Sequence, residues 1–356
     1  MRIVFDVSPL ALPRTGVGNY VLGSLRGLVA AAGGEDEVVA FALTGPKGRR
    51  AIPAALDGLP AARRLVFVPG ARWVREAWSG AGRPPVERVA GRLDVFHFSD
   101  WMFPAQRAGL RSTMVHDLIP LRFPEWTTAW TRRMHGAKYR HTARTADVVF
   151  TNSRFTADDV RERLGVPEGR LVVAPPGVDP AFRPDGARAD LGRPYLLTVA
   201  TLEPRKNLAT LLQAWEPLAG ELALAVVGAE GWGEQPRLDH PGVIRLGYVS
   251  DERLAELYRG AAAAVYPSRF EGFGIPVVEA MASGTPVVAS AHPSLDEASG
   301  DAAVRADPDD AEAMRAAIER AVRERERLVP PGLEHAHAFT WRRVGETMLA
   351  AYRERL

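Results

Sequence analysis

The stretch Ser268–Ser290, SRFEGFGIPVVEAMASGTPVVAS, constrains the fold of this chain more than any other. It follows an apolar run over Ala261–Tyr266 that is typical of a strand buried on both faces. A second buried strand is predicted over Thr285–Ala289, after a short helix over Pro276–Ser283 that has proline in its first turn. Gly284 is a natural stop for that helix. Two buried strands joined by a helix indicate a parallel α/β sheet.

The loop before this helix has the features of a ligand site. Gly272 and Gly274, on either side of Phe273, let backbone amides approach a ligand without an intervening side chain. Glu271 starts the loop and Glu279 lies on the helix, with seven residues between them. Because open α/β sheets bind ligands beyond the carboxyl ends of their strands, both carboxylates are predicted to face a ligand. The alternative is a structural element with two surface glutamates.

Length and composition indicate an α/β protein of two domains. The chain has 356 residues, of which 46% are hydrophobic, and no cysteine, which excludes disulfides, thiolate metal sites and a cysteine nucleophile. A chain without cysteine fits a reducing cytoplasm, which is the expected localisation. No apolar run approaches the roughly 20 residues of a membrane span. The opening residues MRIVFDV are predicted to form a strand and not a signal peptide.

Charge is unevenly distributed, although the net charge is only +2. Residues 1–180 contain 25 Lys and Arg against 17 Asp and Glu, whereas the remainder contains 20 against 26. A basic first part and an acidic second part favour different partners. Chance scatter of solvated charge is the alternative.

Residues 1–180 alternate apolar runs with polar, helix-periodic stretches such as Thr128–Thr145 and Thr156–Leu164, which predicts a doubly wound sheet. Its predicted strands are Ile3–Val7, Val38–Leu43, Leu65–Val68, Val95–Phe98, Met114–His116, Val148–Thr151 and Leu171–Ala174. Residues 175–194 are rich in Pro and Gly and are predicted to be a linker.

The same alternation continues over residues 190–338 and predicts a second Rossmann-like domain. Besides the two strands of the central stretch, its predicted strands are Tyr195–Ala200, Leu222–Val227 and Val243–Leu246. A final amphipathic helix is predicted over Phe339–Leu356, with Val344, Met348, Leu349 and Tyr352 on one face.

A glycine pair, Gly16 and Gly18, is predicted to open the first helix. The third glycine of a dinucleotide fingerprint is missing, because Val21 stands in its place, and the loop Ser8–Thr15 is too long, so NAD binding is rejected. The glycines would let the helix N-terminus approach a phosphate or sugar. A plain tight turn is the alternative.

Two predicted strands of the first part end at or just before polar side chains. His116 ends one of them, and such a histidine is commonly a core residue with its hydrogen bonds satisfied. Asp117 is suited to orienting His116 or an acceptor substrate, and equally to capping a helix. Ser153 and Arg154 follow the other strand and are suited to contacting an acceptor substrate. Ser153 is equally suited to be the N-cap of the next helix.

Two adjacent cations, Arg205 and Lys206, precede a helix predicted to start near Asn207. Cations at a helix N-terminus oppose the helix dipole, so another partner is indicated. A diphosphate fits, because arginine grips it bidentately and lysine acts as a point charge.

The segments EGFGIPVVEAMASGTPVVAS, TLEPRKN and HDLIPLRFPEW together resemble retaining GT-B glycosyltransferases of family 4, in particular bacterial mannosyltransferase-like members. The resemblance implies two Rossmann-like domains with a cleft between them. Residues 1–180 would form the acceptor-binding domain, joined by the C-terminal crossover helix 339–356, and residues 190–338 the nucleotide-sugar-binding domain. Many members have a further arginine where this chain has Thr201, which makes Arg205 and Lys206 more critical.

The resemblance also implies roles for single residues. His116 would lie beside the donor sugar and hydrogen-bond to it, and GVGNY resembles the family's glycine-rich loop. Backbone groups at Tyr248 and Val249 would hold the nucleobase, Glu279 the ribose hydroxyls, and Glu271 the hydroxyls of the transferred sugar. The backbone amides of the residues at the helix start would stabilise the leaving diphosphate, namely Phe273, Gly274 and Ile275.

The implied function is transfer of a hexosyl group, with mannose from GDP-mannose as the first expectation, to a hydroxyl of a glycan or lipid-linked acceptor in cell-surface polysaccharide or glycolipid synthesis. No metal, further cofactor or nucleic acid partner is expected. The alternatives are a UDP- or dTDP-sugar with a soluble acceptor, and a non-catalytic nucleotide-sugar-binding protein. A glycoside hydrolase also uses two carboxylates but would not need paired cations.

The basic first part also holds five of the eight tryptophans, namely Trp73, Trp78, Trp101, Trp126 and Trp130. Four arginines flank the first two of these: Arg63, Arg64, Arg72 and Arg75. Arginine and tryptophan suit the headgroup region of an anionic membrane, so peripheral contact with the inner face of the plasma membrane is expected. Alternatively, these tryptophans belong to the core or line the acceptor pocket.

Overall fold

The computed structural model of the chain describes residues 1–12, 16–99, 103–231 and 237–356, without the side chain of Arg72. The chain divides into two units, the first comprising Met1–Gly177 with Thr340–Leu356 and the second Val178–Phe339. Each unit is built on one parallel sheet with helices, which confirms the predicted pair of Rossmann-like folds.

In the described residues, the sheet of the first unit has seven strands in the order β3-β2-β1-β4-β5-β6-β7. These strands are β1 (Arg2–Asp6), β2 (Glu37–Thr44), β3 (Ala62–Phe67), β4 (Val95–Phe98), β5 (Leu110–Val115), β6 (Val148–Thr151) and β7 (Leu171–Val173). The strand order reverses between β1 and β4, as in a doubly wound sheet. All seven predicted strands of this half are confirmed.

The sheet of the second unit has six strands in the described residues, in the order β10-β9-β8-β11-β12-β13. They are β8 (Tyr195–Val199), β9 (Ala223–Val227), β10 (Val243–Gly247), β11 (Ala263–Tyr266), β12 (Val287–Ser290) and β13 (Val304–Ala306). The five predicted strands are confirmed. The sequence prediction missed β13, because three residues at a sheet edge leave too short an apolar run.

The helices complete both units. In the described residues they are α1 (Gly16–Ala31), α2 (Pro46–Ala55), α3 (Ala71–Ala81), α4 (Glu87–Ala90), α5 (Ile119–Arg122), α6 (Ala129–Thr145), α7 (Arg154–Leu164), α8 (Leu208–Trp215), α9 (Asp251–Gly260), α10 (Ile275–Ala282), α11 (Asp296–Ser299), α12 (Ala311–Arg323), α13 (Arg325–Ala336) and α14 (Trp341–Arg353). The predicted C-terminal helix corresponds to α14, which packs on α1 in the first unit.

Strand β5 begins four residues before the predicted position, and the part that the prediction missed contains buried polar side chains. Ser112 and Thr113 are fully buried. The Ser112 hydroxyl lies 2.9 Å from Nδ1 of His97 and 3.1 Å from the hydroxyl of Tyr352 on α14, and Thr113 donates to the carbonyl of Phe98. These hydrogen bonds satisfy the buried hydroxyls, so the strand tolerates residues that obscure its apolar pattern.

The segment predicted as a linker is packed into the second unit from Val178 onward. Phe182 and Ala189 belong to the hydrophobic core around Tyr195. Arg259, itself buried, donates from Nε to the carbonyl of Ala187 at 2.7 Å and so ties the segment to α9. A high content of Pro and Gly therefore marks irregular backbone here, and not a free linker.

Close packing of α1 against α14 depends on glycine. A Cβ atom at Gly27 would lie 1.9 Å from the carbonyl oxygen of Trp341, and one at Gly345 would lie 2.0 Å from the carbonyl oxygen of Gly27. A Cβ at Gly23 would meet the ring of Trp341 at 2.2 Å. The two helices therefore approach to backbone contact, which no side chain larger than hydrogen permits.

Candidate functional site

The loop between β11 and α10 is held in one conformation by its own residues. Gly274 has φ of +102°, a left-handed value, and a Cβ there would lie 2.6 Å from a methyl group of Leu295. Helix α10 begins at the next residue, with Pro276 in its first turn. The backbone amide of Glu271 donates to Oγ of Ser294 at 3.0 Å, which anchors the other end of the loop.

Glu271 holds both predicted phosphate cations in the second unit. Its Oε2 lies 2.7 Å from Nη1 of Arg205, and its Oε1 lies 2.7 Å from Nζ of Lys206. Arg205 also pairs with Glu203 at 2.7 Å, and Lys206 donates to the hydroxyl of Tyr266 at 2.8 Å. Glu203, Lys206 and Glu271 are all buried. The cluster therefore contains two cations and two carboxylates.

The charges of this cluster determine its protonation. Burial would raise the pKa of Glu271, but Arg205 and Lys206 outweigh it and lower that pKa to about 2. Burial lowers the pKa of Lys206, and Glu271 opposes this effect. Burial also raises the pKa of Glu203 against the attraction of Arg205. Glu271 is thus ionised at neutral pH and serves as the counter-ion of both cations.

Asn207 fixes the turn that presents the two cations. Residues Pro204–Lys206 form a single 3-10 turn, and Asn207 then has φ of +58°, the one positive value at a non-glycine position in the described chain. Its side-chain amide donates to the carbonyls of Pro267 and Pro308 at 3.1 and 2.6 Å. The turn is therefore tied to the end of β11, where Glu271 lies.

Sequence reasoning missed three members of this arrangement, namely Glu203, Tyr266 and Asn207. Asparagine is among the few side chains that tolerate a left-handed backbone, and this was the available signal at Asn207. Nothing in the local pattern marks Tyr266, because an aromatic residue at the end of a buried strand is ordinarily core.

Glu279 is separate from this ion-pair cluster. It lies on α10, is buried, and has a pKa raised to about 8 by burial and, to a lesser degree, by the charges of Asp251 and Asp179. At neutral pH its carboxyl group is therefore largely protonated in the free protein. A protonated carboxyl both donates and accepts hydrogen bonds, whereas an ionised one only accepts.

We expect Glu279 to make the protein less stable as pH rises. Its pKa in the fold, about 8, lies above the ordinary glutamate value of 4.5, so between pH 4.5 and 8 the folded state binds more protons than the unfolded state. Its contribution to stability is present below pH 4.5 and is lost as pH rises towards 8, with a slope of up to about 1.4 kcal/mol per pH unit. Denaturant unfolding of the wild type and Glu279→Gln at several pH values measures the difference. Parallel pH profiles for the two proteins would contradict the assignment.

The predicted nucleobase contacts adjoin a cavity at the carboxyl ends of β9 and β10. The cavity has a volume of about 250 Å³ and is lined by Leu202, Val226, Gly228, Ala229, Glu230, Arg245, Gly247 and Tyr248. The ring of Tyr248 is 59% exposed, so its face is available to a ligand. Val249 is half-buried and packs against the core of the unit.

His116 contacts α1, the helix that contains Gly16 and Gly18, in the first unit. His116 directly follows β5, and its ring meets the ring of Tyr20 edge-on, with 5.1 Å between centroids. Tyr20 lies on the first turns of α1, which Gly16 begins. Burial, with the nearby charge of Lys138, lowers the pKa of His116 to about 3, so the imidazole is neutral at physiological pH. A neutral imidazole suits a hydrogen bond better than a charge contact.

Three further polar residues of the first unit have structural roles. Oδ1 of Asp117 accepts from the amide of Ile119 at 2.9 Å, at the start of α5. Ser153 is the N-cap of α7 and accepts from the amide of Thr156 at 3.0 Å. Arg154 pairs with Glu168 at 2.9 Å on the surface. Ser153 therefore takes the capping alternative, whereas Asp117 lies one residue before Leu118, the N-cap of α5.

Within the described ranges, no group of three or more His, Cys, Asp or Glu side chains is arranged to hold a metal ion.

Comparison with known families matches both units. Residues 14–182 match the family described as Glycosyltransferase Family 4, and residues 193–324 match the family described as Glycosyl transferases group 1. The first match covers the glycine pair and His116. The second covers Arg205 and Lys206 as well as Glu271 and Glu279.

Known proteins resemble the chain over two thirds or nearly all of its length. The O-antigen chain mannosyltransferase B of Escherichia coli is 29% identical, and the match covers 99% of this chain and 100% of that protein. The serotype-specific mannosyltransferase WbdA of E. coli is 30% identical over 66% of this chain, which spans only 32% of WbdA. The sucrose-phosphate synthase structure from Thermosynechococcus elongatus has a TM-score of 0.71 at 20% identity, covering 99% of this chain and 98% of that one.

Proposed function

Because this chain belongs to glycosyltransferase family 4 and has the GT-B fold, we propose that it transfers a mannosyl group from GDP-mannose to a hydroxyl of a glycan or lipid-linked acceptor. The reaction retains the anomeric configuration and serves cell-surface polysaccharide or glycolipid synthesis. The full-length similarity to an O-antigen mannosyltransferase supports mannose as the sugar. The observation that carries the proposal is the pair of cations held by Glu271, of which Lys206 is buried and Arg205 partly buried.

The cation pair provides the diphosphate site in this proposal. In the free protein Glu271 is the shared counter-ion of Arg205 and Lys206, at 2.7 Å from each. A diphosphate has more negative charge than one carboxylate and competes for the same donors. As the cations turn to the phosphates, Glu271 becomes available to accept hydrogen bonds from hydroxyls of the transferred sugar.

The start of α10 assists the departure of the diphosphate. The first backbone amides of a helix have no hydrogen-bond acceptor within the helix. They lie at its N-terminus, which is the positive end of the helix dipole. The amide of Ile275 is the first of α10, and those of the N-cap Gly274 and of Phe273 directly precede it in the loop that holds Glu271. Together with Arg205 and Lys206 they stabilise the charge that develops as the glycosidic bond breaks. Stabilisation of the leaving diphosphate by these groups needs no metal ion.

Other residues position the donor. Glu279, buried on α10, hydrogen-bonds the ribose hydroxyls, and backbone groups at Tyr248 and Val249 hold the base beside the cavity. In the first unit, neutral His116 hydrogen-bonds the sugar, and Gly16 and Gly18 let α1 approach it. The acceptor binds the first unit.

Incubation of the protein with GDP-mannose and a polyprenyl-linked or oligomannose acceptor tests the proposal. We expect a mannosylated product whose anomeric carbon, examined by NMR, has the α configuration of the donor. Turnover should be unchanged by EDTA, because Arg205 and Lys206 neutralise the diphosphate directly. Loss of activity in EDTA that Mg²⁺ or Mn²⁺ restores would contradict metal independence, and a β-linked product would contradict retention.

A lipid-linked acceptor requires access to a membrane, and we propose peripheral docking by the edge of the first unit. None of the helices in the described ranges is both long and apolar enough to cross a membrane. Among the tryptophans singled out above, Trp73 on α3 is 68% exposed, and nearby Phe67 at the end of edge strand β3 is 45% exposed. Trp78 instead belongs to the core, whereas Trp126 and Trp130 are half-buried and Trp101 lies outside the described residues.

The arginines near this edge have different roles. Arg63 donates to the carbonyl of Leu56 and Arg64 to that of Val89, so both hold the edge strand in place. Arg75 lies near the buried carboxylate of Asp6, and the side chain of Arg72 lies outside the described part. Replacement of Trp73 is therefore the most direct test of membrane docking by this edge.

We expect the protein to sediment with phosphatidylglycerol vesicles at low salt and to be released at high salt. Trp73→Ser should weaken this binding, since tryptophan anchors at the membrane interface. Leu356→Ser removes a side chain of similar exposure at the chain end and is the matched control. Absence of binding at low salt, or equal loss in both variants, would contradict docking by this edge.

A further inference from the structure

We infer that the ion pair between Glu230 and Arg245 selects guanine as the base of the donor nucleotide. This inference rests on the proposed function and names the residues that would recognise the base of its nucleotide. Both residues line the cavity beside Tyr248, and Nη2 of Arg245 contacts Oε1 of Glu230. A carboxylate and a guanidinium thus stand side by side where a base would bind.

The fold directs both side chains to this cavity. Arg245 lies on β10, opposite Val226 of the parallel strand β9, and Glu230 follows β9 in the next loop. Gly228 makes that loop possible, because its φ is +147° and a Cβ there would lie 1.9 Å from the carbonyl oxygen of Ala200. The loop is therefore held tightly against the neighbouring strand end.

The cavity suits a planar base. Its volume of about 250 Å³ is below the roughly 300–1,000 Å³ of sites that enclose a whole small ligand, so it holds a part of one. Tyr248, 59% exposed, offers a face on which a base can stack. Gly247, with φ of +62°, turns the chain into that position at the end of β10.

The pair can change partners at little cost. The side chains of Glu230 and Arg245 are 73% and 50% exposed, and ion pairs at this exposure contribute little to stability. Its position at the cavity, more than its strength, therefore distinguishes it from an ordinary surface pair. A ligand that offers matching donors and acceptors can replace part of the contact.

Guanine is the nucleobase whose edge matches this pair. It presents an acceptor oxygen, O6, beside two donors, N1–H and the N2 amino group. The Glu230 carboxylate can accept from both donors, and the Arg245 guanidinium can donate to O6. Uracil and thymine would place a second carbonyl oxygen against the carboxylate, and adenine would offer it one donor beside an acceptor nitrogen. Such unmatched pairs lower affinity.

Isothermal titration of the full chain with GDP, UDP and ADP tests the inference. We expect GDP to bind at least tenfold more tightly than UDP or ADP. Glu230→Gln should weaken GDP at least tenfold and leave UDP within about twofold, because the amide presents an NH₂ donor to guanine's own donors. Glu256→Gln is the control, since Glu256 pairs with Arg253 on α9 and neither residue lines the cavity. Circular dichroism verifies that each variant is folded.

The outcomes separate this inference from the proposed function. Preference of the wild type for UDP or ADP, or equal weakening of GDP and UDP in Glu230→Gln, would overturn guanine selection while glycosyl transfer stood. Failure of the wild type to bind any nucleoside diphosphate would overturn the proposed donor site itself, and guanine selection with it. A loss of GDP affinity in the Glu256→Gln control equal to that in Glu230→Gln would also overturn the assignment to this pair.

Discussion

Replacement of Lys206 by alanine is expected to reduce kcat/KM by about 10²–10³-fold, the loss typical of removing one preorganised group that stabilises transition-state charge. Lys206 is buried, pairs with Glu271 at 2.7 Å and donates to Tyr266 at 2.8 Å, so no solvent ion can substitute for it in place. Affinity for the nucleoside diphosphate should also fall by about 1.5–3 kcal/mol, as for a lost charge-assisted hydrogen bond. Steady-state kinetics and isothermal titration measure the two effects.

The chain offers a clean control for this experiment. It contains three lysines, Lys47, Lys138 and Lys206, and Lys47 is exposed on α2 in the first unit. Lys47→Ala removes the same charge without touching the ion-pair cluster and should leave activity unchanged. Because Lys206→Ala leaves Glu271 with Arg205 as its remaining cation, its unfolding must be measured as well. Unchanged diphosphate affinity in a folded Lys206→Ala protein would remove the phosphate role.

Replacement of Gly27 by alanine is expected to produce the largest loss of stability. The new Cβ would lie 1.9 Å from the carbonyl oxygen of Trp341 and 2.8 Å from its carbonyl carbon, and backbone atoms cannot rotate away as a side chain can. Overpacking of this kind costs about 1–3 kcal/mol or more, because α1 and α14 must separate. Thermal unfolding should show a melting temperature lowered by about 2–10 °C.

A second glycine separates the clash from helix propensity. Gly80 lies exposed on α3, and a Cβ there would meet nothing within 4 Å. Gly80→Ala should therefore stabilise the protein by up to about 1 kcal/mol, the difference in helix propensity between the two residues. If Gly27→Ala also raised the melting temperature, α1 and α14 would not be in the close contact described.

The glycines of α1 show how far a local pattern extends. Gly16 and Gly18 drew attention in the sequence because they open a helix, and Gly16 is exposed with open space around it. Gly23 and Gly27, which are the ones that the packing requires, look in the sequence like ordinary weak points of a helix. Their partner is α14, more than 300 residues away, so no local signal could identify them.

The sequence by itself determined the two parallel sheets and the conformation of the loop between β11 and α10. Strands buried on both faces are continuous apolar runs, and Gly274 and Pro276 express backbone preferences that act within a few residues. Where polar residues satisfy one another through distant partners, as at the start of β5, or where a strand has three residues, as in β13, that local signal fails.

Only the tertiary structure decided what the candidate site residues contact. Glu271 and Lys206 are 65 residues apart, and their ion pair exists because β8 and β11 are neighbours in the sheet. The raised pKa of Glu279 depends on burial and on Asp251 and Asp179, which no spacing along the chain encodes. Electrostatics acts through space over several ångströms, so it is determined only once the fold has brought separate segments together.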